Sequence, residues 1–526
     1  MFKDVHIQPS VLSPGTRSSE GVDYGHLLFK RAYLITDSSL EGSAGHYAGL
    51  VQGWKRHKVG PLTVYAHPDL DVNSHGSEGL TIVLLGFAVD PLNGSCDSGE
   101  IVENLRSRWL KTTEGFFEYL DTLNGRFVLL VHSVGRSFVL HDAMGTKTVF
   151  YDAESENTVI SSHAALVADI QGYEMSPDAR EFVSSPEYGR QNSYFPGVAT
   201  PYSAVKMLTA NTLLDIRDRK VHRYFPRAPL ETRRITDGLV EEIARLFSSQ
   251  IDLLSRDHRL AVSLSGGFDS RTTMAASRDH REDILYFTYG GLQKYEDDAL
   301  LAAELCRKFD LEHMVIRKED CGEGLEEFLA VWRVNTAFMR SDADGAIAKA
   351  IYESRLRDAL HLKSNGSEIT RVWYRWGMKH MLPNDIAPDT YAALYNIRPR
   401  SPFVVDAFRR YVETVEFRKE ALFGYDVYDL LYWEHRVSAW HALQILDTDA
   451  AYDNFNIFNN RHILKLLLSV PFGDRLRGRL QYRVLESLSP EALEVPFYKD
   501  LKPRYVTAAK TLAKHAKYYV DRALPL

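Results

Sequence analysis

The sequence predicts an α/β protein in two parts, an antiparallel β-sandwich layer followed by a parallel-sheet α/β region with many helices. Three observations predict it. Before about residue 225, short runs rich in Val, Leu, Tyr and Phe recur between Gly, Asn, Asp and Pro, which is the spacing of antiparallel strands. From Leu239 the apolar period turns helical, and strand-like and helix-like runs then alternate, as βαβ crossovers over a parallel sheet require. At the first crossover an apolar strand runs straight into Ser265-Gly266-Gly267, with Asp269 and Ser270 close behind.

RAYLITD, PLTVYAH, LTIVLLGFAVDP, GRFVLLVHSV, SFVLHDA and TVFYDA are the first six strand candidates. Between them a helix is expected from Glu100 to Leu123, with Leu105, Trp109, Phe116, Phe117 and Leu120 on its apolar face. NTLLDI and KVHRYF add two strands after Tyr202. PRAPLETRRITDG is charged, contains Pro and reads as a linker, so the expected domains are residues 1–225 and 236–526. LVEEIARLFSSQIDLL has apolar residues at i, i+3, i+4 and i+7 and opens the second domain as a helix. Then come the strand AVSLS, a helix over TTMAASR, the strand ILYFTYG, the helix DDALLAAELCRKF and the strand HMVIR. Residues 323 to 520 read as mostly helical, and no internal repeat is present.

Composition narrows the class of function. A chain of 526 residues is long enough for two or three domains. The apolar fraction of 45% and charged fraction of 25% are those of a soluble globular protein. A net charge of −7 without a long basic run argues against a nucleic-acid-coating surface. The cysteines Cys96, Cys306 and Cys321 are few, odd in number and widely spaced; they suit a reducing compartment and offer neither a disulfide framework nor a zinc site. MFKDVHIQPSVLSPG has no secretory apolar core, and no stretch approaches the roughly 18 apolar residues of a bilayer span. A cytoplasmic enzyme with no nucleic-acid or membrane partner is expected.

The crossover loop carries the chemistry. Leu260, Ala261, Val262 and Leu264 suit a strand covered on both faces. Gly266 and Gly267 allow a sharp turn and a close approach. Ser265, Ser270 and Thr272 supply hydroxyls, and a helix starting near Asp269 presents unpaired N–H groups. Strand, glycine turn and helix N-terminus together make an anion site, most often for phosphate. The alternative is an ordinary strand–turn–helix junction.

With these residues in view, the segment 260–318, with LAVSLSGGFDS, FTYG, the Tyr-Glu-Asp-Asp helix entry and EHMVI, resembles the synthetase domain of the asparagine synthetase family, an N-type ATP pyrophosphatase. LNGRFVLLVHSVGRSFVLHDAMGTKTVFY resembles that family's glutaminase domain, an Ntn-hydrolase-like β-sandwich. VSAWHAL, FNIFNNRHILKLLLSVP and SPEALEVPFYKDLKP extend the likeness more loosely toward the C-terminus. The resemblance implies ATP and Mg²⁺ as cofactors and carboxylate activation as the chemistry. A carboxylate attacks the α-phosphorus, pyrophosphate leaves, and an amine displaces AMP from the acyl-adenylate. It implies a nucleotide set of Ser263, Leu264, Ser265, Gly266, Gly267, Asp269 and Ser270, continued by Phe287, Thr288 and Gly290 on the next strand and by Ser364 and Gly366. For Phe287 a plain core role is equally open. Asp269 is the implied metal ligand.

Departures from the family pattern shape the expected reaction. The family's N-terminal Cys nucleophile has no counterpart in Met1-Phe2-Lys3, and no Cys precedes Cys96, so glutamine hydrolysis is not expected. The amine would then come with the substrate, as in the related β-lactam synthetases and lasso-peptide cyclases, or as free ammonia. The β layer would serve as scaffold or homodimer surface. In SNGSEITR, Glu368 aligns with the family's second metal-binding Asp, or else belongs to a helix start capped by Ser367. Arg371 suits a bidentate carboxylate or phosphate contact, or a solvated face. The family's late Lys is matched by Lys499, with Lys502 as runner-up. A base for the amine is sought in Glu434 with Tyr374, since Asn365 replaces the Tyr of the β-lactam synthetase dyad. Glu434, His435 and His441 can equally be packed helix residues. The reading opposed to an amide-forming ligase is a catalytically lapsed nucleotide-binding or scaffold protein.

Overall fold

The computed structural model describes residues 22–497, apart from residues 78, 191–192, 291–292, 376–381 and 383–384. Its N-terminal part is two six-stranded sheets, antiparallel throughout. They meet face to face across Tyr33, Ile35 and Val64 on one side and Val83, Val128 and Val139 on the other. The expected strands are present. Lys55–Val59 and Val72–Ser77, which the sequence did not announce, lie at sheet edges, where polar, charged strands discourage edge-to-edge pairing. The expected helix from Glu100 to Leu123 is two helices, Ser98–Lys111 and Thr113–Thr122. Thr112 breaks it: its backbone is extended and its hydroxyl accepts the Gly115 N–H, a capping role that outweighs the continuous apolar stripe.

The second part is built on a five-stranded parallel sheet. Its spatial order is His313–Ile316, Leu285–Tyr289, Leu260–Ser263, Leu360–Lys363, Asp453–Asn456. The chain therefore builds outward from Leu260–Ser263 in one direction, then returns to its other side with Leu360–Lys363. That reversal is a topological switch point, and a crevice opens there beyond the strands' carboxyl ends. The two last strands lie in the stretch that read as mostly helical. Each mixes polar with apolar residues, as in Asp453-Asn454-Phe455-Asn456. Among the described residues no helix is long and apolar enough to cross a membrane.

The two parts are locked by buried charge. Arg126 pairs through both terminal nitrogens with Asp449 and reaches Asp453 at 2.8 Å. Lys147 donates to the Arg31 carbonyl at 2.6 Å, and Arg31 itself lies 3.7 Å from Asp453. Burial, with Arg126 adding to it, pushes the Lys147 amine down to about 8. Burial alone would raise the Asp453 carboxyl, but Arg126, Arg31 and Lys147 together hold it below the usual carboxylate range. Nearby, Asn459 donates to the Gly125 carbonyl at 2.6 Å and to Asp142 at 2.9 Å, and accepts the Met144 N–H at 2.7 Å.

The sign of the resulting pH dependence follows from Asp453. In the unfolded chain this carboxyl binds a proton near pH 4, whereas in the fold it stays ionised. Its stabilising contribution is complete above about pH 5 and is lost progressively as the pH falls from there toward the carboxyl's depressed value in the fold. Urea midpoints measured from pH 6 to pH 3 are expected to fall, and the fall should be shallower in Asp453→Asn.

Candidate active site

The switch-point crevice is lined by the loop after Leu260–Ser263, the loop after Leu360–Lys363, and a wall from Arg475 to Tyr482. The cleft holds about 690 Å³, within the range of small-molecule sites. Parallel pairing of Val262 with Leu362 sets the two loops side by side. Asp269 and Ser367, 98 residues apart in sequence, are thereby joined by a hydrogen bond from the Ser367 hydroxyl to the Asp269 carboxylate.

The first loop is braced from within. The Ser265 N–H donates to Ser270 Oγ at 3.1 Å, and the Gly267 N–H to Ser265 Oγ at 3.2 Å. The Gly266 N–H donates to the Asp298 carboxylate at 2.9 Å. A loop amide thus holds an anionic oxygen, the polarity that phosphate recognition needs. The helix Phe268–Ala276 begins at the turn. Its Arg271, fully buried, donates to the carbonyls of Ala492, Val495 and Pro496. This clamp fixes the segment that brings Phe497 to the cleft wall.

The second loop turns on Gly366, whose φ of +125° is a conformation only glycine adopts readily. A Cβ there would also lie 2.1 Å from Met144 Cε of the β layer. The Glu368 carboxylate accepts the Gly366 N–H at 3.0 Å, and a short turn of 3₁₀ helix, Ser367–Thr370, follows. Arg371 Nη2 lies 3.2 Å from Asp269 Oδ1, 3.1 Å from Oδ2 and 3.9 Å from Glu368 Oε1. Burial, reinforced by Glu368 and opposed by Arg371, pushes the Asp269 carboxyl up to about 7.

Ser263, Leu264, Ser265, Gly266, Gly267, Asp269, Ser270 and Ser364 of the expected nucleotide set, and Glu368 of the expected metal pair, line the cleft. Gly366 lies within the second loop. Phe287, Thr288 and Gly290 are elsewhere. Phe287 is fully buried against Tyr289 and His361. The Thr288 hydroxyl donates to the Leu264 carbonyl at 2.9 Å. A Cβ on Gly290 would meet Val315 at 2.5 Å, so this glycine serves close strand packing. Tyr289 is the residue of that strand that faces the cleft.

Glu434 is not a base. It is fully buried, bound bidentately by Arg223 of the β layer at 2.6 and 2.8 Å, and accepts Asn211 Nδ2 at 3.1 Å. Tyr374 is buried against Tyr432, away from the cleft lining, and burial raises its phenol far above the ordinary value. His435 accepts the Gly197 N–H at 3.0 Å, and burial holds both it and His441 down at about 3. The helical segment Tyr432–His441 is thus a plug into the β layer. Lys499 and Lys502 lie outside the described residues.

Sequence reasoning missed Arg475, Arg477, Gln481 and Tyr482 on the cleft wall. Their signal was the basic run Arg-Leu-Arg-Gly-Arg before an amphipathic helix. Ser364 Oγ, Arg371 Nε and Arg475 Nε are buried donors with no hydrogen-bond partner among the described residues. They fit the acceptor oxygens of a polyphosphate. They fit a metal ion poorly. The Asp269–Glu368 pair already holds a guanidinium, and no cluster of three or more His, Cys, Asp or Glu among the described residues forms a metal site.

Residues 242–344 match the asparagine synthase family. The match covers 103 of the chain's 526 residues and takes in the strand Leu260–Ser263 with the loop that follows it. Two solved structures show a distant likeness. One is titled the structure of the allosteric regulatory enzyme of purine biosynthesis, 10% identical over 45% of this chain and 55% of that one, with a TM-score of 0.23. The other is glutamine phosphoribosylpyrophosphate amidotransferase from B. subtilis complexed with ADP and GMP, 11% identical at the same coverages, with a TM-score of 0.22. The chain thus spans about half the length of each. No curated protein matches it.

Removing one charge of the Glu434–Arg223 pair leaves the other buried and uncompensated, at a cost of about 3–5 kcal/mol. Glu434→Gln should therefore lower the chemical-denaturation midpoint and leave nucleotide affinity of the folded fraction unchanged. A loss of nucleotide binding in folded protein would return Glu434 to the site.

Proposed function

We propose that the protein is an ATP-dependent synthetase, forming AMP and pyrophosphate, that adenylates a carboxylate and condenses it with an amine from a source other than glutamine. The observation that carries this is the switch-point cleft, where the Ser265–Ser270 loop and unpaired donors from Ser364, Arg371 and Arg475 converge. In the first step a carboxylate oxygen of the substrate bonds to the α-phosphorus and the bond to the pyrophosphate oxygen breaks. Arginine donors on the cleft wall match the negative charge that gathers on the departing pyrophosphate. In the second step the amine nitrogen bonds to the acyl carbon, AMP leaves with the electron pair, and the amine gives up a proton.

The β layer supports this choice of amine. Its first described strand starts at Tyr33, whose phenol is buried on the Thr148 carbonyl at 2.9 Å. No cysteine lies beside it, the three in the chain being Cys96, Cys306 and Cys321. A glutaminase nucleophile has no candidate there. The substrates are a small-molecule or peptidic acid and its amine, and ring closure within one substrate is favoured over asparagine formation.

A second reading, a lapsed relative that binds nucleotide without turnover, is favoured by the commitment of Glu434 and Tyr374 to packing. Exchange of radiolabelled pyrophosphate into ATP, driven by carboxylate libraries, separates the two. Exchange is expected, and it should fall by about 100-fold or more in Asp269→Ala, which removes the anchor of the loop pair. ATP binding with no exchange for any acid supports the lapsed reading. Undiminished exchange in Asp269→Ala would remove the cleft from the chemistry.

A further inference from the structure

The pair Asp269 and Glu368 is already furnished with a cation. Arg371 approaches both oxygens of Asp269, at 3.1 and 3.2 Å, and stands 3.9 Å from Glu368. Two donors of the second loop also engage the pair. Asp269 Oδ1 accepts the Ser367 hydroxyl, and Glu368 Oε2 accepts the Gly366 N–H at 3.0 Å. Divalent magnesium wants bare oxygens at about 2.1 Å in octahedral array, whereas Asp269 Oδ1, Asp269 Oδ2 and Glu368 Oε2 face donors. The placement is written into the chain: Arg371 follows Glu368 by three residues across one turn of 3₁₀ helix, which brings both side chains to the same side.

We propose that the Arg371 guanidinium is a resident cation of the phosphate site, paired with Asp269 and standing 3.9 Å from Glu368, in place of a protein-held metal ion. Any divalent ion then arrives with the nucleotide and is not ligated by this pair. The proposal rests on the synthetase reading for its purpose. A guanidinium is charged at every working pH and planar. Its Nε, buried and without a partner among the described residues, is left for a phosphate oxygen. Arg371 is thus a binding residue that bridges the two loops to the triphosphate, and the carboxylates are its positioning residues.

The test uses Mn²⁺ alone, followed by loss of its aqueous EPR signal, and then Mn²⁺ with α,β-methylene-ATP. Without nucleotide, the wild-type chain is expected to leave Mn²⁺ free up to about 1 mM, the weak end of carboxylate sites. Arg371→Met uncovers an acidic pair and should bind Mn²⁺ about tenfold or more tightly than wild type. Arg371→Lys, which keeps the charge, should resemble wild type. Wild-type binding of Mn²⁺ without nucleotide, abolished by Asp269→Asn, would overturn the proposal. If Arg371→Met fails to fold, as judged by circular dichroism, the wild-type complex with α,β-methylene-ATP decides. Its Mn²⁺ affinity should match that of the nucleotide in solution, and a tightening lost in Asp269→Asn would refute a resident guanidinium. If the nucleotide does not bind at all, the synthetase reading falls, while the nucleotide-free measurements still decide the role of Arg371.

Discussion

The parallel pairing of Leu260–Ser263 with Leu360–Lys363 is the constraint from which the site follows. Two strands about 100 residues apart in sequence lie next to each other because the sheet reverses its direction of growth between them. Each strand delivers a loop to the same edge, one with Ser265, Gly266 and Asp269, the other with Gly366, Ser367 and Glu368. No single loop supplies both carboxylates. The hydrogen bond from Ser367 to Asp269 and the reach of Arg371 across both loops are consequences of that adjacency.

Charge inside this molecule serves two purposes that look alike in sequence. At the junction of the two parts, Arg126 with Asp449 and Asp453, and Arg223 with Glu434, are closed, mutually neutralising groups. Such pairs contribute less to net stability than to choosing one docking geometry over others, since desolvation offsets much of the attraction. At the cleft Arg371 is paired with Asp269 and Arg475 with Asp429, yet donors are left over. Arg371 and Arg475 keep an Nε without partner among the described residues, and Arg477 is exposed with the Gly473 carbonyl beside it at 3.3 Å.

Much of this was legible in the chain. The Ser-Gly-Gly-x-Asp-Ser loop announced itself because strand, turn and helix start are all local, and local order is what periodicity and turn chemistry encode. The strands Leu360–Lys363 and Asp453–Asn456 were not legible, because His361, Asn454 and Asn456 are polar residues made acceptable only by partners far along the chain. His361 contacts Ser263 at 2.9 Å and Asn454 at 3.1 Å. Glu434 misled for the same reason. A Glu between Trp433 and His435 looks like a base until Arg223, 211 residues earlier, is seen to hold it. Phe287 and Thr288 sit at the expected strand end, but both are buried in the covered sheet, and Tyr289, nearer the strand's carboxyl end, reaches the cleft. Arg371 was noticed, yet its reach to Asp269 depends on strand order, which no spacing reveals.

Met144 under Gly366 gives the β layer a further meaning. The methionine is held by Asn459 through its backbone and presses its methyl group on the turn that carries Glu368. Whatever chemistry the sandwich lacks, it acts as a gauge block for the neighbouring loop. Excising the first half of the chain would strip the backing from one jaw of the crevice.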